Sequence, residues 1–196
     1  MSAKRAWRCF VAIPLHEPVA SELQRTAQDL GRLAAKHALR ITMTRPEGRH
    51  LTLAFLGNIE EAAVVEVDRA LLQAVAGVHA FCVTVGGVMT LPPKRPPRAI
   101  AAAIGRCDAL TSLFQRVRDS LEDSGFAGER RSFRPHITLV RVRDSKSWCK
   151  RNVELQAFAG RRFGKSLIDR IVLFRSHLSS EAARYQVVGT YPLTTP

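Results

Sequence analysis

The sequence is short of cysteine and has no long apolar run, and each shortage excludes a class of protein. Its cysteines are Cys9, Cys82, Cys107 and Cys149. No two of them stand at the C-x-x-C spacing of a zinc or redox motif, so we interpret them as reduced, mostly buried thiols. No stretch approaches the roughly 20 apolar residues that cross a bilayer, and the N-terminal apolar run is too short for a signal peptide. We therefore expect a cytoplasmic protein with no membrane partner.

Acidic residues are also scarce relative to basic ones. The 196 residues include 30 Lys and Arg but only 17 Asp and Glu, which gives a net charge of +13. Such an excess favours a polyanionic partner such as RNA, DNA or an acidic membrane surface. An arginine-rich genome is the alternative explanation. With 46% hydrophobic residues, the chain is expected to fold around a core.

Apolar periodicity predicts three amphipathic helices and a series of short strands. The helices are expected over residues 18–37, 60–75 and 108–123. The strands are expected over residues 8–13, 40–43, 50–56, 81–85, 88–91, 98–104, 136–140, 167–175 and 183–191. We see no linker that would separate independent domains, so we expect one domain over residues 1–196. The mixture of elements predicts the α+β class.

A His-apolar-Thr-apolar sequence occurs once in each half of the chain. The first copy is His50-Leu51-Thr52-Leu53 and the second is His136-Ile137-Thr138-Leu139. Because side chains alternate along a strand, each copy puts an imidazole and a hydroxyl on one face. Strict alternation puts Leu51, Leu53 and Phe55 on the opposite face of the first strand. The repeat suggests an internal duplication, with two similar lobes facing each other.

Two imidazoles and two hydroxyls across a cleft make an acid–base site that needs no metal. One ring can accept a proton from water while the other donates one to a leaving oxygen. The hydroxyls can donate hydrogen bonds to phosphate oxygens. The alternatives are structural histidines or a zinc site, but no carboxylate or cysteine stands at ligand spacing. The remaining histidines, His16, His37, His79 and His177, lack a companion threonine, and we interpret them as surface or structural residues.

Arginine is the third candidate residue type. Arg134 precedes the second motif and Arg141 closes it. Strict alternation puts Arg141 opposite His136, so its side chain reaches the cleft only if the strand ends, bulges or twists there. A solvated surface arginine is the alternative. The basic residues of the 91–98 loop, and Arg130 and Arg131, are candidate guides for an RNA backbone or simply solvated.

The segments HLTLAFLG and FRPHITLVR resemble the twin motifs of the 2H phosphoesterases. Within these they most resemble the bacterial RNA 2′,3′-cyclic phosphodiesterases, also called 2′-5′ RNA ligases. The flanking segments RCFVAIPL, LPPKRPPRAI, IVLFRSHLSS and YQVVGTYPL match in the expected order over most of the chain. The resemblance implies a bilobal fold with two pseudo-symmetric lobes. Each lobe has an antiparallel sheet with helices on its outer face, and the active-site cleft lies between the sheets.

The resemblance also implies roles for residues and a partner. His50 would donate the proton to the leaving 3′ oxygen and His136 would activate water, while Thr52, Thr138 and Arg141 would hold the phosphate. The implied substrate is RNA ending in a 2′,3′-cyclic phosphate, opened to a 2′-phosphomonoester. We expect no cofactor, no metal, no obligate protein partner and a monomer. Family members often carry a tryptophan before the first motif, where this chain has residues 43–45. If that tryptophan shapes a base-stacking wall, substrate preference is expected to differ here.

Two other functions stay open from the sequence. The same cleft could open small cyclic phosphates such as cyclic nucleotides or ADP-ribose 1″,2″-cyclic phosphate, or join RNA ends through a 2′-5′ bond in reverse. The charge alone also fits an RNA-binding module without catalysis. The intact histidines and threonines of both motifs argue against a non-catalytic RNA-binding module.

Overall fold

The computed structural model describes residues 6–93, 96–126, 132–150, 152–177 and 184–195. Its strands are β1 Ala6–Pro14, β2 Ile41–Met43, β3 His50–Glu60, β4 Phe81–Leu91, β5 Ala99–Ile104, β6 His136–Val142, β7 Arg162–Ile168, β8 Arg170–His177 and β9 Arg184–Pro192. Its helices are α1 Val19–Lys36, α2 Val64–Val75, α3 Asp108–Asp123, α4 Ser145–Cys149 and α5 Asn152–Ala159. The α+β class is confirmed.

The strands form one curved antiparallel sheet. Its order is β7-β4-β5-β6-β3-β1-β8-β9. Strand β2 stands outside this order and pairs with residues 140–142 of β6. The strands of the first-motif lobe are β3, β1, β8 and β9, and those of the second-motif lobe are β6, β5, β4 and β7. In the sheet, β3 and β6 are joined by one residue pair, Leu51 with Ile137. The expected two sheets are therefore joined edge to edge at the two motif strands.

The strands of the two lobes are arranged alike, counted outwards from the motif strands. β3 pairs with β1, β1 with β8 and β8 with β9, while β6 pairs with β5, β5 with β4 and β4 with β7. A helix separates β1 from β3, and another separates β5 from β6. The shared strand-helix-strand part is what an internal duplication predicts, although β4 precedes β5 in the chain whereas β8 follows β3. The duplication itself stays a prediction.

Helices cover the outer face of the sheet and enclose the core. The buried stripe of α1 includes Val19, Leu23, Ala27, Leu30 and Ala34, which recur at helical spacing. This helix contacts β6 and β7, whereas α3 contacts β3. Each of these helices therefore follows a strand of one lobe and packs on the sheet of the other.

Several element boundaries differ from the sequence prediction. The predicted strands 81–85 and 88–91 are one strand, β4, with a register shift after Val85. The predicted strand 167–175 is divided at Asp169 between β7 and β8. Helices α4 and α5 were not predicted. The first motif strand does not stop at Gly57 but runs to Glu60. Its pairing with β1 shifts register at Gly57, and because glycine tolerates the φ of 69° found there, the strand continues through the irregularity.

The four cysteines are free thiols, as expected, but they are not mostly buried. Cys9 is buried, Cys82 is exposed, and the other two are half-buried. Across the described residues, no helix combines the length and apolar character that a membrane crossing requires.

Candidate active site

The two His-Thr motifs lie side by side at the centre of the sheet. Leu51 and Ile137, the second residue of each motif, are the pair that joins β3 to β6. Since this pair is antiparallel, its register sets His50 across from Thr138 and Thr52 across from His136. Both leucine and isoleucine are buried, while the histidines and threonines are half-buried on the other face. The structure therefore brings the four predicted residues together.

Both motif strands carry a bulge directly after the threonine. In β3, Thr52 pairs with Ala12 and Ala54 with Val11, so Leu53 is left over. The second strand repeats this arrangement, because Leu139 is left over between its paired neighbours. An extra residue shifts the alternation of the side chains that follow it. The bulges therefore change which residues beyond the threonines face the cleft.

The bulge in β6 turns Arg141 towards the cleft. Arg141 is exposed between buried Val140 and Val142, and its charge is felt at the His50 imidazole. The sequence analysis expected this arginine to reach the cleft only if the strand ended, bulged or twisted, and the bulge at Leu139 is present. Among the residues that the structure describes, Arg141 takes part in no ion pair.

The equivalent bulge in β3 turns Phe55 towards the cleft. The prediction that Phe55 lies on the face opposite His50 and Thr52 is therefore wrong. Phe55 is 50% exposed instead of packing against the helices. Its ring centroid lies 6.0 Å from that of Phe10, which in turn lies 4.8 Å from the His50 imidazole. Phe55 and Arg141 thus occupy corresponding positions of the two motif strands.

His50 is enclosed by aromatic rings that the sequence analysis did not identify. Phe174 lies 6.1 Å and Tyr185 5.3 Å from the His50 imidazole, both measured between ring centroids. With Phe10 and Phe55 they form what we call the aromatic wall. The aromatic residues were visible in the opening strand and in the two closing strands, but only the fold shows that β8 lies beside β1 and β9 beside β8.

Burial and positive charge hold His50 neutral in the free protein. Burial first, and then the neighbouring side chains of Arg141 and His136, lower the pKa of His50 from its ordinary value of 6.5 to about 4. A hydrogen bond to the Gly48 backbone acts in the opposite direction and raises the pKa. The His50 imidazole is therefore neutral near pH 7.

His136 is oriented by the loop that precedes its strand. Its Nδ1 lies 2.7 Å from the carbonyl oxygen of Arg134. A carbonyl oxygen only accepts, so Nδ1 carries the proton, and Nε2 of the neutral ring keeps its lone pair. Phe133 of the same loop stacks on Phe114 of α3 at 3.9 Å between ring centroids. The stack anchors the loop to the helix and so fixes the imidazole.

Arg49 is a buried cation directly before the first motif. Its side chain is 5% exposed, and Nη2 donates to the Thr44 carbonyl oxygen at 2.9 Å. Within the described part of the chain, its Nε and Nη1 have no hydrogen-bond partner. Burial lowers the pKa of Arg49. The sequence analysis missed this residue, which fastens the turn that leads into His50.

The other histidines have partners outside the site. His16 bonds Asp169 at 3.0 Å, His37 bonds Glu154 at 2.9 Å, and His177 bonds Gln186 at 3.0 Å. Among the described residues, no three His, Cys, Asp or Glu side chains are grouped so as to hold a metal ion. The candidate RNA guides in residues 94–95 and 130–131 lie outside the described residues.

Comparisons with known proteins agree with this geometry. The model of the family described as LigT like Phosphoesterase matches residues 13–101 and 105–185. A protein of Thermotoga maritima named RNA 2′,3′-cyclic phosphodiesterase is 29% identical over 181 residues, which cover 92% of each chain. A protein of the same name from Bacillus subtilis is 21% identical over 94% of this chain and 96% of its own.

Solved structures share the fold. A Thermus thermophilus protein has a TM-score of 0.75 at 23% identity, over 95% of this chain and 97% of its own. Escherichia coli LigT complexed with 3′-AMP has a TM-score of 0.69 at 20% identity, over 97% of this chain and 99% of its own. The bilobal fold and the resemblance drawn from the two motifs are thereby confirmed. The chain belongs to the LigT-like phosphoesterase family, within the 2H phosphoesterases.

Proposed function

We propose that this protein hydrolyses 2′,3′-cyclic phosphates at RNA ends to 2′-phosphomonoesters, with His50 as acid and His136 as base and without a metal or cofactor. The observation that carries the proposal is the crosswise pairing of the two motifs on neighbouring strands. Relatives that match more than nine-tenths of the chain are named RNA 2′,3′-cyclic phosphodiesterase, which supports a cyclic phosphodiesterase.

In the proposed step, Nε2 of His136 removes a proton from a water molecule whose oxygen attacks phosphorus. The bond from phosphorus to O3′ breaks, and protonated His50 donates its proton to that leaving oxygen. One P–O bond forms as another breaks, which leaves a 2′-phosphomonoester and a free 3′-hydroxyl. Thr52, Thr138 and Arg141 donate hydrogen bonds to the non-bridging oxygens, where negative charge accumulates.

His50 must gain a proton before it can act as the acid. With a pKa of about 4, its imidazole is neutral near pH 7. A bound phosphate offsets the positive charge of Arg141 and accepts a hydrogen bond from the imidazolium, and both effects favour the charged form. The substrate itself therefore raises the pKa of the group that will protonate its leaving oxygen.

The aromatic wall is the proposed place for the terminal nucleoside. Phe55 is the exposed ring of the wall, and one ring, Phe10, separates it from His50. Bases stack on aromatic side chains without demanding a particular sequence. The related structure of Escherichia coli LigT with 3′-AMP supports a nucleotide-sized site. Small cyclic nucleotides are therefore the second candidate substrates.

Three further expectations stay predictions. The same groups acting in reverse would join an RNA 2′,3′-cyclic phosphate to a hydroxyl end through a 2′-5′ bond. The enzyme is expected to act as a monomer, and to do so in the cytoplasm. None of these is needed for the hydrolytic step.

The test is hydrolysis of an RNA oligonucleotide that ends in a 2′,3′-cyclic phosphate, in the presence of EDTA. We expect a gain in mass of one water and a product that is a 2′- and not a 3′-monophosphate. Chromatography against both synthetic isomers identifies it. Loss of activity in EDTA, restored by added divalent metal, would contradict the metal-independent step. A 3′-monophosphate product would contradict the assigned leaving oxygen.

A further inference from the structure

A second arginine continues the cleft face of the second motif strand. Arg143 follows β6, and its backbone N–H donates to the Arg40 carbonyl oxygen at 2.9 Å, which extends the β2–β6 ladder. Arg141 and Arg143 are exposed, while Val142 between them is 8% exposed. Side chains two residues apart share a face in extended chain, so both guanidinium groups lie on the side of the cleft.

Thr42 of β2 joins the two arginines into a row. It is the Cα partner of Arg141, and directly opposed residues of an antiparallel pair point to the same side. Its Oγ1 accepts a hydrogen bond from Arg143 Nε at 3.2 Å. We call these three residues the arginine row. The row begins at Arg141, whose charge reaches His50, and leads outwards from the site.

Within the described part of the chain, the charges of Arg141 and Arg143 have no acidic partner. Arg25, Arg32 and Arg161 each pair with a carboxylate, but no described carboxylate pairs with either arginine of the row. The adjacent Asp144 instead accepts a hydrogen bond from the Ser147 backbone N–H and caps α4. Residues two apart on extended chain are separated by about 7 Å along the backbone, so the long side chains of Arg141 and Arg143 can contact neighbouring phosphates of one nucleic acid strand.

We propose that Arg143, held by Thr42, binds the backbone phosphate of an RNA nucleotide upstream of the cyclic end. The inference rests on the proposed function, since it names the part of an RNA substrate that a mononucleotide lacks. Arg141 holds the reacting phosphate, and Arg143 holds a phosphate that takes no part in the reaction. The arginine row therefore makes a chain of nucleotides a better substrate than a single one.

The experiment compares Arg143→Gln with Arg25→Gln, a control that removes the same charge from the outer helix α1. Two substrates are used: an RNA oligonucleotide with a cyclic end, and the matching nucleoside 2′,3′-cyclic phosphate. We expect Arg143→Gln to lower kcat/KM about tenfold on the oligonucleotide, since the substitution removes a charge-assisted hydrogen bond to a phosphate. On the nucleoside substrate, and for the control on both, we expect changes below about twofold.

Binding supplies a readout that does not depend on turnover. Anisotropy of a labelled RNA ending in a 3′-phosphate is measured at several salt concentrations. We expect Arg143→Gln to weaken binding and to reduce the slope of log K against log salt by about 0.7, the value for one contact on a single strand. The control variant should leave that slope unchanged.

The possible outcomes distinguish a failure of the Arg143 inference from a failure of the proposed hydrolytic function. If wild-type protein turns over neither substrate, the proposed function is wrong, and the binding slopes still decide the arginine row. If both variants behave alike on the oligonucleotide and in binding, Arg143 is an ordinary solvated arginine. If Arg143→Gln slows both substrates equally, Arg143 contacts the reacting nucleotide, and the inference is also wrong.

Discussion

The first-motif lobe and the second-motif lobe share a frame but differ in the side chains that the frame presents. Each has a central strand with a His-x-Thr sequence and a bulge after the threonine. At the position that the bulge turns into the cleft, one lobe has Phe55 and the other Arg141. The common frame supplies the paired imidazoles, and the local difference gives the cleft an aromatic side and a cationic side.

The contrast extends to neighbouring strands. Phe10 pairs with Phe55 and Phe174 in the first lobe, and Ala99 pairs with Arg141 and Leu91 in the second. Aromatic rings on one side thus correspond to small or aliphatic residues on the other. A substrate with one apolar end and one anionic end has a single favourable orientation in such a cleft.

The sharpest test of the comparison removes one imidazole from each lobe. We expect His50→Ala and His136→Ala each to reduce kcat on a cyclic-phosphate RNA by about 10³-fold, because general acid and base catalysis contributes roughly 10²–10⁴-fold. Single-turnover kinetics measure the loss, and anisotropy should show that RNA binding persists. Near wild-type turnover by either variant would contradict the two-histidine assignment.

A smaller effect should distinguish the aromatic side. We expect Phe55→Ala to raise KM for a nucleoside 2′,3′-cyclic phosphate about tenfold with little change in kcat, because base stacking contributes about 1–3 kcal/mol per base. Phe55→Tyr should retain the wild-type KM. Leu72→Ala, at another exposed apolar residue on α2, is the matched control. An unchanged KM in Phe55→Ala would place the base elsewhere.

The smallest expected effect lies in the pH dependence of stability. Because the pKa of His50 is about 4 in the folded state and near 6.5 when unfolded, the unfolded chain binds more protons in that interval. The free energy of unfolding should therefore fall as pH is lowered from about 6.5 to about 4. Arg141→Gln removes a positive charge near the ring, so it should raise the pKa of His50 and reduce this fall.

Two measurements check the pH prediction. Urea unfolding at a series of pH values gives the slope, and histidine NMR titration gives the pKa of His50 directly. Addition of phosphate should also raise that pKa in the wild-type protein. A pKa that is the same in wild type and Arg141→Gln would show that the arginine lies too far from the imidazole to act on it.

Much of the site was predictable from the sequence because its residues occur in two short, similar segments. The periodicity of the segments gave the shared face of His50 and Thr52 and of His136 and Thr138, and it predicted α3 over its full length. The bulges were not predictable, since they depend on pairing with β1 and β5. That is why Phe55 was assigned to the wrong face and why Arg141 could be placed in the cleft only conditionally.

The aromatic wall was out of reach of the sequence for a different reason. Phe10 lies at one end of the chain, and Phe174 and Tyr185 lie near the other. Their convergence depends on β8 and β9 joining the sheet beside β1, a connection between distant segments. The split of residues 167–175 at Asp169 was missed for a local reason, because apolar residues continue on both sides of the turn.

The position of β8 beside β1 has a consequence for how the enzyme becomes active during synthesis. The strand that carries His50 is supported by β1, and β1 pairs on its other side with β8, which follows both motifs in the chain. A growing chain that has produced both motifs still lacks the rings of Phe174 and Tyr185 around the His50 imidazole. The surroundings that lower the pKa of His50 are therefore complete only after β9 has been made.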